Sequence, residues 1–221
     1  MTAVDLKRTE PGYRARFGVF EVIELPPARY SMIDGHGDPN TAPAYADALA
    51  TLYPVAYGLK FLSKRELGRD YVVPPLEALW WADDPAAFTS QRDKARWSWT
   101  VMIRVPDWVT DDHVEQVCRA LADKARAGAD KGRALPDSRP APRLADVRVK
   151  VLAEGLCVQT LHVGPYDAQR PVLRALHEEF VPAHGLAMTG KHHEIYLSDA
   201  RRTAPERLRT ILRQPVARIG G

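Results

Sequence analysis

Two short stretches, PLEALWWADD and HHEIYLSD, alternate glutamate with aromatic side chains in the pattern of β-strands. Because successive side chains of a strand point to opposite faces, Glu194 shares a face with Tyr196, and Glu77 shares a face with Trp81. Each carboxylate is either a solvated side chain on an exposed strand face or, in this aromatic company, a general base or an anchor for a cation. The phenol can donate a hydrogen bond, and the indole can stack on a planar ligand. We therefore interpret these residues as candidate site residues, with Trp81 as the preferred aromatic neighbour of Glu194.

Five further aromatic side chains are candidates for ligand contact. Trp80 points away from Glu77, so packing behind the strand is its expected role, with ligand contact as the alternative. Trp97 and Trp99 share a face of a later strand, which is either an apolar packing stripe or a stacking platform. Tyr53 and Tyr57 lie beside the apolar stripe of a helix, where they are either ordinary edge residues or the cover of a cavity.

Other kinds of site lack their sequence signatures. His192 and His193 are adjacent on a strand, so their side chains diverge and do not chelate one ion from one face. The sequence contains no phosphate-binding glycine loop and no nucleophile elbow. We expect no metal and no cofactor. Basic residues are not interleaved with exposed aromatic residues, so we also expect no direct contact with nucleic acid.

The candidate residues are positioned by an order of elements that occurs twice. Strand, helix, strand, strand is predicted at about 24–106 and again at about 146–218, with a helix and linker at 110–144 between the copies. Residues 1–15 are predicted to be a flexible arm, and 16–221 a single pseudo-twofold domain. This order predicts an α+β fold, with a mostly antiparallel sheet and two main helices across one face.

The composition indicates an ordinary globular protein. Of 221 residues, 45% are hydrophobic and 27% are charged, and the net charge of +3 steers polyanions only weakly. The two cysteines fit either one disulfide or two buried thiols, and the second interpretation suits a reducing compartment. No window approaches the roughly 20 apolar residues of a membrane span. We expect a cytoplasmic protein, monomeric or weakly dimeric, without membrane contact.

Four stretches, PLEALWW, HVGPYD, GKHHEIYLSD and TAPERLRTILRQPV, resemble the GyrI-like small-molecule-binding family in its stand-alone form, from about Glu24 to Val216. The resemblance implies paired strand–helix–strand–strand (SHS2) units with a ligand groove on the pseudo-twofold axis. Relatives include sensor domains of multidrug-responsive transcription activators and a modulator of DNA gyrase. About twenty residues precede the first predicted strand, too few for a helix-turn-helix module, so a transcription-factor role is not expected.

The resemblance implies two competing functions for one aromatic cage. Some stand-alone members open the cyclopropane ring of DNA-alkylating natural products, which would make the chain a hydrolase for xenobiotic detoxification. Glu194 would then activate water, Tyr196 would stabilise developing negative charge, and Trp81 and Trp99 would stack on the compound. The alternative is binding alone, with lipophilic or cationic drugs held by cation–π attraction. Interaction with gyrase is a third possibility that rests on kinship only.

Overall fold

The structure is a computed structural model that describes residues 2–83, 93–130 and 141–220. The chain divides into two compact units, called the first and second unit below. The first unit comprises 1–5, 29–74 and 82–151, and the second comprises 6–28, 75–81 and 152–221. Most of the predicted linker, at 131–140, lies outside the described residues.

Nine strands and four helices form in the described parts of the chain. The strands are β1 (Glu21–Leu25), β2 (Ala28–His36), β3 (Leu76–Trp81), β4 (Ser98–Arg104), β5 (Arg148–Leu152), β6 (Gly155–Val163), β7 (Leu186–Met188), β8 (His192–Tyr196) and β9 (Arg209–Arg218). The helices are α1 (Leu6–Thr9), α2 (Pro43–Glu66), α3 (Asp111–Asp130) and a composite α4, which joins α-helical Arg170–Arg174, π-helical Ala175–Phe180 and α-helical Val181–Ala183. The mixed α+β class predicted from the sequence is confirmed.

The first unit packs α2 against α3 beside antiparallel strands β2 and β4. Its core joins Val55, Leu59 and Leu62 of α2, spaced three and four residues apart, to apolar side chains of α3. Gly58 lets the two helices approach closely, because a Cβ at that position would lie 2.5 Å from Cγ1 of Val117.

The second unit is a sheet in the order β1–β6–β9–β8–β3, with antiparallel pairing throughout and β7 added against β9. The repeat assigned β3 to the first copy, yet it pairs with β8 of the second unit. Side chains alternate along each strand, so the sheet has two faces, and both of them pack against other parts of the chain. The α4 face is the face whose Val158 and Val216 pack on α4, and the N-terminal face is the one whose Leu161 and Ile211 pack on α1 and the segment after it.

The N-terminal segment differs from the flexible arm that the sequence predicted. Leu6 and Tyr13 are each only 7% exposed and pack with Leu161, Ile195 and Ile211. Because residues 1–15 are mostly polar, their composition did not indicate that Leu6 and Tyr13 are buried. These two side chains attach the segment to the sheet by burying apolar area.

The structure also bears on two sequence-based expectations, which concern the cysteines and membrane-spanning helices. Cys118 and Cys157 are both free thiols, so the disulfide alternative is wrong. Among the described helices, none combines the length and hydropathy that a membrane crossing needs.

Candidate functional site

The pairing of β3 with β8 decides which site residues share a face. Residues directly opposite each other in an antiparallel ladder point to the same side. Trp80 lies opposite His192, Ala78 opposite Glu194, and Leu76 opposite Tyr196. All of these side chains therefore belong to the α4 face.

Trp80, rather than Trp81, accompanies Glu194 and Tyr196. The indole Nε1 of Trp80 donates a hydrogen bond to Oη of Tyr196 at 3.1 Å, across the small Ala78. The Tyr196 ring also meets the Tyr166 ring edge-on, with centroids 5.5 Å apart. An indole, two phenols and a carboxylate are thus gathered on one face.

Trp81 lies on the opposite, N-terminal face of the ladder. Nζ of Lys191 lies 3.1 Å from the centroid of its ring, a cation–π contact. Trp81, which is expected from the sequence to lie on the Glu77 side and across the pseudo-twofold axis from Glu194, thus lies on the other face of this ladder from Glu194. The alternation within β3 was predicted correctly, but the sequence does not reveal which residue of β8 stands opposite each residue of β3.

Glu194 is intermediate between a buried and a solvated carboxylate. Its side chain is 12% exposed, and its Oε1 lies 3.6 Å from Nε2 of the buried His192. The carboxylate is thus largely withdrawn from water while keeping one open side. That environment suits an acid–base group or an anchor for a polar ligand.

Glu77 belongs to a different constellation on the N-terminal face. It is 1% exposed, accepts a 2.6 Å hydrogen bond from the hydroxyl of Tyr13, and lies 3.0 Å from Nε2 of His193. The structure therefore brings Glu77 together with Tyr13 and His193, and not with Glu194. The sequence predicted Glu77 at the wall of an open groove, but its described contacts are those of a buried carboxylate.

The Glu77 contacts continue into a buried ionic network. Nδ1 of His193 lies 2.9 Å from Glu154, and Nη1 of Arg213 donates to the same carboxylate at 2.9 Å. Arg213 also donates to Gln159 at 3.2 Å and to the backbone oxygen of Gly12. Two acids face two bases, so the charges balance when all four are ionised. A signal was available in the sequence, since Arg213 interrupts the otherwise apolar face of TILRQPV.

Trp99 and Trp97 lie in the first unit. Trp99 is fully buried, donates from Nε1 to the oxygen of Gly37 at 3.2 Å, and meets Tyr45 edge-on at 5.0 Å. Its ring covers Gly35, where an added Cβ would lie 2.0 Å from Cη2. These contacts agree with the packing interpretation of Trp99, whereas Trp97 is half-buried beside Lys94.

Tyr53 and Tyr57 lie on α2, also in the first unit. Tyr57 is 48% exposed and its ring centroid lies 6.5 Å from that of Phe61, while Tyr53 is half-buried. Both remain candidate ligand contacts from the sequence. Within the described chain, no group of three or more His, Cys, Asp and Glu side chains is arranged to hold a metal ion.

Comparison with known proteins identifies the fold family. Residues 19–217 match the sequence model of the GyrI-like small molecule binding domain. The chain belongs to the GyrI-like family. The predicted resemblance is thus confirmed, and this GyrI-like protein contains a small-molecule binding domain.

Three solved structures from Listeria innocua are similar to the GyrI-like chain over nearly all of its length. One is an uncharacterized conserved protein, 34% identical, with a TM-score of 0.82 and coverage of 97% of this chain and 100% of that one. The second, described as a hydrolase, is 36% identical, with a TM-score of 0.78 and coverage of 98% and 100%. The third, also described as a hydrolase, is 34% identical, with a TM-score of 0.75 and coverage of 97% and 100%. The comparison with curated proteins gave no match.

The buried network of this GyrI-like protein shifts the pKa of two of its members. Burial alone lowers the pKa of His193, but the carboxylates of Glu154 and Glu77 outweigh it and raise that pKa above its usual 6.5. Burial raises the pKa of Glu154, but His193 and Arg213 prevail and lower it from 4.5 to about 2. Both shifts favour the ionised network.

We expect the stability of this GyrI-like protein to depend on pH in two windows. Ionised Glu154 contributes its full stabilisation above about pH 4.5, which is its pKa in the unfolded chain. This stabilisation is lost as the pH falls toward about 2, its pKa in the folded protein. Protonated His193 contributes its full stabilisation below about pH 6.5, its pKa in the unfolded chain. This stabilisation is lost as the pH rises through the raised pKa of His193 in the folded protein. Each window has a slope of up to about 1.4 kcal/mol per pH unit.

Urea denaturation measured from pH 3 to 9 checks this expectation. The variant His193→Gln should flatten the alkaline window and leave much of the acid window in place. An equal alkaline slope in both proteins would assign that slope to other groups.

Proposed function

We propose that this GyrI-like protein binds a planar, lipophilic aromatic compound beside Glu194 and hydrolyses it without a cofactor. The proposed substrates are cyclopropanoid DNA-alkylating compounds, and the proposed outcome is detoxification. The observation that carries the proposal is the common face of Glu194, Tyr196 and Trp80, with the Trp80 indole hydrogen-bonded to the Tyr196 oxygen. Two of the three similar Listeria structures are described as hydrolases, which supports the reaction class.

The proposed reaction adds one water molecule to the strained ring. The Glu194 carboxylate accepts a proton from water as the water oxygen bonds to a cyclopropane carbon. The carbon–carbon bond at that position breaks, and its electron pair moves through the conjugated ring onto the carbonyl oxygen. The Tyr196 oxygen accepts from Trp80, and the proposal assigns the Tyr196 hydroxyl to stabilising the developing oxyanion when the substrate is bound. Glu194 then releases its proton to solvent, and one proton from solvent binds that oxygen, so that one water has been added, the carboxylate is restored and the product is a ring-opened alcohol.

Turnover by the purified protein tests the proposal. The protein is incubated with a tenfold excess of a cyclopropanoid alkylator, and the alcohol is quantified by liquid chromatography with mass spectrometry. We expect many moles of alcohol per mole of protein, above the rate in buffer. A complex that stops at one compound per chain, with no alcohol, would contradict catalysis and leave the binding-only alternative.

A second arm of the experiment examines that alternative directly. Tryptophan fluorescence is titrated with a neutral aromatic compound and with a lipophilic cation. The proposal expects quenching by the neutral compound, which stacks on Trp80. Quenching by the cation alone would favour drug sequestration driven by a carboxylate and aromatic faces.

A further inference from the structure

His192 lies next to Glu194 on the α4 face, although sequence reasoning considered it only as a metal ligand. It is two residues before Glu194 on β8 and directly opposite Trp80 on β3. Its Nε2 lies 3.6 Å from Oε1 of Glu194, and its side chain is 2% exposed. The imidazole is thus a buried neighbour of the carboxylate that the proposed reaction uses.

The His192 ring packs against a neighbouring imidazole on α4. The ring of His177 on α4 meets it edge-on, with centroids 5.8 Å apart and planes at 81°. Gln214, whose side chain lies near that of His177, donates to the oxygen of Gly190 at 2.9 Å. Burial lowers the pKa of His177 to about 4, so near neutral pH it faces His192 as an uncharged ring.

The groups around His192 determine what it can do. Among the described contacts of His192, the titratable groups are Glu194 on its own strand and His177 on α4, while Trp80 and Gln214 on the flanking strands are uncharged. Glu194 is therefore the acid that lies on the Nε2 side of the imidazole ring. The 3.6 Å separation is just beyond hydrogen-bond length, and such catalytic contacts commonly tighten when the substrate is bound.

We propose that His192 is a positioning residue for Glu194, its Nε2–H holding Oε1 so that Oε2 is presented to the attacking water. This inference rests on the proposed hydrolysis. The imidazole does not contact the substrate, and it acts by restricting the carboxylate to one orientation. A general base that is free to rotate spends less time in the reactive geometry, so the loss falls on kcat and not on binding.

Two amides of similar shape test the proposal, because each replaces a different ring nitrogen. In His192→Gln the amide nitrogen is near the position of Nε2, and in His192→Asn it is near the position of Nδ1. We expect His192→Gln to keep kcat within about threefold of wild type, and His192→Asn to lose about 10–100-fold in kcat with KM changed less than about twofold. Equal losses in the two variants, or losses confined to KM, would overturn the positioning role.

A second measurement does not depend on turnover or on the folding of these variants. The ring nitrogens of His192 are observed by two-dimensional ¹H–¹⁵N NMR in the wild type and in Glu194→Gln. We expect the Nε2 resonance to move and the Nδ1 resonance to stay. An unmoved Nε2 resonance overturns the inference even if the protein is a hydrolase. A moved resonance in a protein without turnover would support the contact and reject the proposed function.

Discussion

Glu194→Gln is expected to lower kcat by about 10²–10⁴-fold, the contribution typical of a general base. Glutamine has the shape of glutamate and keeps a hydrogen-bonding oxygen, but it does not accept the proton that the attacking water loses. The substitution leaves the proposed contacts with Trp80 and with the Tyr196 hydroxyl unchanged, so KM should stay within a few-fold of wild type. Steady-state kinetics with the cyclopropanoid compound measure both quantities.

Glu206→Gln is the matched control for this substitution. Glu206 is exposed in the turn Pro205–Arg207, so the same chemical change there should leave kcat and KM unaltered. If Glu194→Gln hydrolyses the compound at the wild-type rate, the base is another residue, and hydrolysis itself survives. If the variant has normal kcat and a raised KM, Glu194 binds the ligand without taking part in the reaction.

The strand carrying Glu194 was predictable because its signal is local. In HHEIYLSD the period of two places Glu194 and Tyr196 on one face, whatever the strand pairs with. The place of Trp80 and Trp81 was not predictable in the same way. Alternation assigns residues to faces within one strand, but the match between two strands depends on register, and a slip of one residue exchanges every side chain between the faces.

The buried network was hidden for a different reason. Its contacts join residues that are far apart in sequence, with Tyr13 and Glu77 separated by 64 positions and Gly12 and Arg213 by 201. Periodicity within one segment does not indicate which distant residues contact each other. What the sequence does contain is a charge in an apolar strand, and a buried charge requires a partner from elsewhere in the fold.

Arg213→Met is expected to destabilise the protein by about 3–5 kcal/mol, the cost of breaking a buried ion pair by removing one partner. Methionine fills much of the arginine volume, so the loss comes mainly from charge. Glu154 loses the guanidinium and keeps only His193, while the oxygens of Gln159 and Gly12 lose a donor. Urea denaturation at pH 6, which lies above the lowered pKa of Glu154 and below the raised pKa of His193, measures the change.

The same change at Arg218 separates the network from the general effect of losing an arginine. Arg218 is an exposed residue at the end of the same strand, so Arg218→Met should change stability by less than about 0.5 kcal/mol. Adding Glu154→Gln to Arg213→Met removes the carboxylate left without its guanidinium, and the double variant should recover part of the loss. Fully additive losses would show that Arg213 and Glu154 are not coupled, because coupled partners depart from additivity by about 0.5–3 kcal/mol.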